Sequence, residues 1–239
     1  DVVYESDLRR GTATANAVWD NKSSVLVGDF LFSRSFELMV EDGSLDVLAI
    51  LSRASSVIAE GEVLQLLTAN DTETDENDYL EVIRSKTAKL FAAAAEIGAV
   101  IADRPMEERE ALRAFGHNLG MAFQLVDDVL DYSARQATLG KTVGDDFREG
   151  KITLPVVLAF RTADEQGRAF WRRTLEDLEQ KKGDFKRAVG LLERSGALTA
   201  TLDRAARYGA DARAALDHFA DGAMRAALAE SVEFAVRRA

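Results

Sequence analysis

The chain has 239 residues, 47% of them hydrophobic, with 30 Lys and Arg against 41 Asp and Glu, a formal net charge of −11. This suits a sizeable buried core and excludes a disordered chain or a nucleic-acid binder working through bulk positive charge. With no cysteine and two histidines, disulfides, thiolate chemistry and a His-rich metal site are excluded as well.

The only prolines are Pro105 and Pro155, which leaves long stretches open to helix. Leu45, Leu48, Leu51 and Ile58 keep helical spacing after the turn Glu41-Asp42-Gly43-Ser44 and predict a long helix. Residues 71–78 are polar and predict a loop with capping residues. Residues 79–101 are Ala-rich and apolar around much of the cylinder, the pattern of a buried helix. Asp103-Arg104-Pro105 ends it, and 107–131 predicts the next helix, markedly apolar from Leu119 onward. Residues 133–150 hold Gly140, Gly144 and Gly150 and predict a long loop; Pro155 then opens another apolar helix. From Glu165 to the end, helices are expected with breaks near Gly183, Gly196 and Gly222. No segment alternates with period two for long, and no apolar run reaches the ~18 residues of a membrane span. The expectation is an all-α protein with one domain over 1–239, cytoplasmic and without a transmembrane segment.

The strongest chemical signal is Gln124-Leu125-Val126-Asp127-Asp128-Val129-Leu130-Asp131. Residues four apart stack on one face of a helix, so Asp127 and Asp131 share a face with Asp128 beside it and Gln124 one turn earlier. Two carboxylates about 5 Å apart at an effective dielectric of 20 repel by roughly 3 kcal/mol. On an apolar helix that conflict is resolved by a hard divalent cation, and Mg²⁺ favours carboxylate oxygens shared with substrate phosphates. The bland alternative, a solvated acidic face, fits poorly with Met121, Ala122 and Phe123 on one side and Val129 and Leu130 on the other.

A second signal is the loop carrying Gly140-Lys141-Thr142 and Gly144-Asp145-Asp146-Phe147-Arg148-Glu149-Gly150-Lys151. It is not a nucleotide-binding P-loop: the first glycine of that motif would fall at Arg135, and no strand precedes it. Lys141 and Lys151 are placed to hold phosphate oxygens beside the acidic helix end. Asp7-Leu8-Arg9-Arg10-Gly11 sets two guanidiniums at a helix-to-turn transition, suited to bidentate diphosphate recognition. Lys86-Thr87 lies within the apolar Ala-rich helix, where a lysine and a hydroxyl need partners. His117 and His218 read as polar residues on helix faces. Phe30, Phe32 and Phe36 read as core or as lining of an apolar tunnel.

Together these segments resemble the all-trans polyprenyl diphosphate synthases of the long-chain, octaprenyl or decaprenyl type. Asp127-Asp128-x-x-Asp131 is similar to the second aspartate-rich motif of that family, and Gly144 to Lys151 to the segment that follows it. Asp7-Leu8-Arg9-Arg10-Gly11 and Lys86-Thr87-Ala88-Lys89-Leu90-Phe91 also match. The resemblance implies a helical bundle of isoprenoid synthase type around a central apolar cavity, usually a homodimer, using Mg²⁺. It implies condensation of isopentenyl diphosphate with an allylic diphosphate, extending a prenyl chain for a quinone side chain. By the same resemblance Asp127 ligates metal, with Asp128 and Asp131 as ligands or beside them. Arg9 meets the allylic diphosphate and Arg10 the isopentenyl diphosphate. Lys86, Lys141 and Lys151 hold the allylic diphosphate, and Thr87 and Gln124 face the developing cation.

One departure stands out. The first aspartate-rich motif of that family precedes the arginine pair; here Asp1 aligns with its second aspartate and Tyr4 with its last. A phenol with a pKa near 10 is a poor Mg²⁺ ligand at neutral pH; the resemblance implies Asp1 as a metal ligand of that segment, and either the motif has altered chemistry or Glu5 or Asp7 takes the place of its last aspartate. The chain is accordingly expected to lack the N-terminal helices of the family. Two other readings stay open: a weakly active or non-catalytic partner subunit of a prenyl synthase, and a terpene cyclase or head-to-head coupling enzyme.

Overall fold

A computed structural model describes residues 8–9, 12–133 and 143–238, the first pair as backbone only. Helices account for nearly all of it, as the periodicity requires. The strands among the described residues are β1 (Leu8–Arg9) and β2 (Thr12–Ala13), antiparallel, with Leu8 opposite Ala13 and Arg9 opposite Thr12. The helix-to-turn transition expected around Arg9 is thus corrected, at Leu8 and Arg9, to extended backbone paired with Thr12 and Ala13.

Local capping chemistry sets the helix ends. Thr14 caps the single turn α1 (Ala15–Val18). Asp20 accepts the Ser23 N–H at 2.6 Å to open α2 (Asn21–Asp42), and Gly43, at φ +78°, closes it in the left-handed conformation glycine adopts without penalty. Ser44 caps α3 (Leu45–Thr68). Asp75 accepts the N–H groups of Asn77 and Asp78 at 2.7 and 2.9 Å to start α4 (Glu76–Ile83). That helix runs unbroken through a π turn, Arg84–Ala88, into α5 (Lys89–Ile101).

The longest element, α6 (Met106–Asp131), follows Pro105. After it come α7 (Asp145–Arg148) and α8 (Leu154–Thr162), the latter with Pro155 in its first turn. α9 (Glu165–Trp171) passes through a second π turn, Arg172–Glu176. The chain ends in α10 (Asp184–Ser195), α11 (Ala197–Ala215) and α12 (Ala223–Arg237). Gly183, Gly196 and Gly222 mark the breaks, where the sequence pattern puts them. The loop expected over 133–150 contains the one-turn helix α7.

α6 is the axis of the core, with α5 along one side and α11 along another. Its Met121, Leu125 and Val126 are completely buried, together with Leu154 and Val156 of α8, Trp171 of α9 and Leu192 of α10. Gly116 and Gly120 let α5 approach almost to backbone contact: a Cβ on Gly116 would lie 2.3 Å from the Phe91 carbonyl oxygen, and one on Gly120 2.7 Å from Ala88 Cα. This approach brings Thr87 level with Gln124. α2 is different. Phe30 and Phe32, read as core or as tunnel lining, are 66% and 55% exposed, because α2 meets α3 only sparsely. Among the described residues no helix is long and apolar enough to cross a membrane.

Candidate active site

A cavity of about 660 Å³ opens where the last turns of α3 and α6 meet α4, the π turn and the segment after α7. α6 contributes Gln124, Asp127 and Asp128 to its wall; the π turn adds Lys86 and Thr87, α7 adds Asp146, and the segment after it Lys151. Six of the residues singled out from sequence therefore share one cavity. Asp131 is not on its wall.

The three aspartates of the motif divide by environment. Asp127 is the accessible one, its carboxylate 3.6 Å from the guanidinium of Arg238 at the end of α12. Arg238 lies over the Phe123 ring at 3.9 Å and donates to the Phe123 carbonyl at 2.7 Å. Asp128 is buried and accepts from Gln124 Nε2 at 2.9 Å and from the Tyr79 hydroxyl. Asp131 is buried too and accepts the N–H groups of Asp145 and Asp146 at 3.3 and 3.0 Å, so it ties α7 to the end of α6.

Electrostatic strain follows from the crowding. Burial, and then the neighbouring Asp146 charge, hold Asp128 well above the usual carboxylate range. The same two causes push Asp131 to about 7. Burial raises Asp146 against the opposing pull of Lys151. For Lys151 burial acts downward, but Asp146 and Glu149, at 3.1 and 2.6 Å, outweigh it and keep the ammonium charged.

Lys86 donates to Glu62 Oε2 at 3.0 Å and Gln65 Oε1 at 2.5 Å, both on α3. Thr87 Oγ1 donates to Gln124 Oε1 at 3.0 Å. The π turn carries one extra residue per turn and so swings Lys86 and Thr87 onto the cavity side. Gly61 on α3 makes room for it: a Cβ there would lie 2.8 Å from Ser85 Cβ and 2.9 Å from the Lys86 nitrogen.

Four candidates fall elsewhere. Asp1, Arg10 and Lys141 lie outside the described residues, and Arg9 is described by its backbone alone, in β1. Conversely, Glu62, Gln65, Tyr79, Asp146 and Arg238 were not assigned from sequence. Glu62 and Gln65 sit one turn apart at the end of an apolar helix, a detectable spacing; nothing local marks Tyr79 or Arg238.

Among the described residues no three acidic or histidine side chains form a ready cage for a metal. The donor chemistry still fits a hard cation, because Mg²⁺ is commonly held by one or two carboxylates, the rest of its shell coming from water and substrate phosphates. An acidic wall beside two lysines suits a ligand of both signs, a cation bridged to a polyphosphate.

The family model for polyprenyl synthetase matches residues 1–192. The octaprenyl diphosphate synthase of Escherichia coli (strain K12) is 45% identical over 249 residues, covering 100% of this chain and 73% of that protein. A crystal structure of a decaprenyl diphosphate synthase from Rhodobacter capsulatus superposes with a TM-score of 0.92 at 50% identity, over 98% of this chain and 72% of that one. A polyprenyl synthase from Caulobacter crescentus CB15, complexed with calcium and isoprenyl diphosphate, gives 0.94 at 54% identity over the same shares. The chain thus spans about three quarters of the proteins it resembles.

Proposed function

The chain belongs to the polyprenyl synthetase family, and from that membership we propose a Mg²⁺-dependent chain elongation, isopentenyl diphosphate condensing with an allylic diphosphate to give a long-chain all-trans polyprenyl diphosphate. The observation that carries this reading is the single cavity in which Asp127 and Asp128 stand beside Lys86 and Lys151, with Thr87 and Gln124 between.

Asp127 and Asp128 would hold the metal, and Asp1 would join them from the earlier motif. Bound Mg²⁺ supplies positive charge that neutralises the diphosphate and eases its departure. Lys86, Lys141 and Lys151 take the phosphate oxygens left uncovered, while Arg9 and Arg10 serve the two diphosphate groups. The Thr87 and Gln124 oxygens face the allylic carbon as its C–O bond breaks and offer it their negative dipole ends. The isopentenyl double bond attacks that carbon, and the neighbouring C–H proton leaves with the released pyrophosphate. No histidine or thiol is required. Asp131 acts from behind, by anchoring the segment that carries Asp146 and Lys151.

The exposed apolar side chains of α2, with Leu26, Phe30 and Leu31 foremost, support a second copy of the chain as their partner. The proposed product is a polyprenyl diphosphate destined for a quinone side chain, made in the cytoplasm by one helical domain over 1–239. The test is incubation with Mg²⁺, labelled isopentenyl diphosphate and farnesyl diphosphate. Lengthened diphosphates are expected; cyclic hydrocarbons, or no product from the chain alone, would reject elongation.

A further inference from the structure

Tyr79 plays no part in the chemistry above. It lies on α4 with its ring buried against the cavity, and its hydroxyl donates to one carboxylate oxygen of Asp128, 49 residues away. The other oxygen of Asp128 accepts Gln124 Nε2 at 2.9 Å, and Gln124 Oε1 in turn accepts Thr87 Oγ1 at 3.0 Å. Side chains from α4, α6 and the π turn thus form one directed chain of hydrogen bonds.

The direction matters because a glutamine amide beside a hydroxyl fits either way round. Its NH₂ can meet the hydroxyl as acceptor, or its oxygen can meet the hydroxyl as donor. In the ionised form in which it would hold a cation, Asp128 removes the choice: a carboxylate offers acceptors only, so the NH₂ faces it and the amide oxygen faces Thr87. That holds only while Asp128 keeps its rotamer. Tyr79 supplies the second hydrogen bond that stops the carboxyl group from turning. Buried polar chains of this kind are specific when every member is satisfied and lose their geometry when one is removed.

We infer that Tyr79 is a positioning residue: by fixing Asp128 it sets the direction of the Gln124 amide and the Thr87 hydroxyl at the place where, on the functional reading above, the allylic cation forms. It touches neither the diphosphate nor the reacting carbons. The ring fills the cavity wall, so Tyr79→Phe keeps the packing and removes the hydroxyl alone.

Two measurements test this. In elongation kinetics, Tyr79→Phe should lower kcat about 10–100-fold, as loss of an oriented dipole does, with KM for the allylic diphosphate within about two-fold. In a Gln124→Ala background the same substitution should cost almost nothing more, whereas a packing role would cost the same in both. Independently of turnover, ¹⁵N-glutamine labelling reads the Gln124 side-chain amide, assigned by its loss in Gln124→Ala. Tyr79→Phe should shift that resonance and speed its solvent exchange at least about tenfold, since local hydrogen bonding sets protection; Val82→Ala, which loosens the same turn, should leave it in place. A wild-type kcat, full additivity with Gln124→Ala, or an unmoved Gln124 resonance would each overturn the role of Tyr79. If the unaltered chain elongates nothing, the functional reading falls instead, and the resonance alone decides whether Tyr79 governs Gln124.

Discussion

α6 and α2 are of similar length, and both carry many apolar side chains, yet they meet opposite fates. On α6, Met121, Leu125 and Val126 are fully buried, and two carboxyl groups are buried with them. On α2, Leu26, Phe30, Leu31 and Phe32 are each more than half exposed. Apolar content therefore does not separate a core helix from an interaction surface. Gly116 and Gly120 sit where α5 and the π turn close over α6, whereas Gly28 on the exposed side of α2 has nothing against it, so what separates the two helices is the neighbour that packs on them. Crowded charge is tolerated on the enclosed helix because Tyr79, Gln124 and the α7 amides take up the carboxylate oxygens.

The contrast can be broken most directly on α6. Asp127→Asn should reduce incorporation of labelled isopentenyl diphosphate by about 10³-fold, the scale of losing one preorganised charge contact at a departing group. Activity near that of the unaltered chain would make the acidic face ordinary surface. Next in size is Gly116→Ala, whose Cβ meets the Phe91 carbonyl at 2.3 Å. It should cost about 1–3 kcal/mol in thermal or urea unfolding, and Gly61→Val should act alike while also weakening diphosphate binding through Lys86.

A smaller effect should appear in the pH dependence of stability without metal. Asp131 sits at about 7, above its ordinary 3.8, so its stabilisation is present below about 4 and disappears as pH rises through 7. His117, lowered mainly by burial and then by Arg84, Arg113 and Lys89, acts oppositely and loses its contribution as pH falls below 6.5. The informative quantity is the difference between the chain and Asp131→Asn. Unfolding curves should show the variant gaining relative stability between pH 5 and pH 8, and parallel curves would remove Asp131 from the titration. Smallest is Phe30→Glu on α2, which should change the stability of the fold by no more than about 0.5 kcal/mol. On the proposed pairing of α2 with a second copy, its effect should appear in sedimentation, as a fall to the mass of a single chain.

Much of this was legible beforehand, for identifiable reasons. The helical spacing that sets Gln124, Asp127 and Asp128 close together on an apolar helix was legible, since helical geometry is local, and these three line the cavity while Asp131 does not. Gly183, Gly196 and Gly222 announced the later breaks in the same way. The roles inside the aspartate motif were hidden, because they depend on partners far along the chain: Tyr79 for Asp128, and the α7 amides for Asp131. Lys86 visibly needed partners, but Glu62 and Gln65 come from another helix, 24 and 21 residues earlier. The exposure of Phe30 and Phe32 was equally hidden, since periodicity reports an apolar face and is silent on what covers it.

The π turn between α4 and α5 has a further consequence. Deleting one residue from 84–88 would restore ordinary winding and improve local hydrogen bonding, yet it would rotate everything on one side by about 100°. Either Tyr79 would swing away from Asp128, or Phe91 would leave its seat over Gly116 and Gly120. The rod keeps a phase error so that both of its ends address α6, and a shortened sequence at this point should be recognisable as a chain that folds but no longer aligns its polar and apolar contacts.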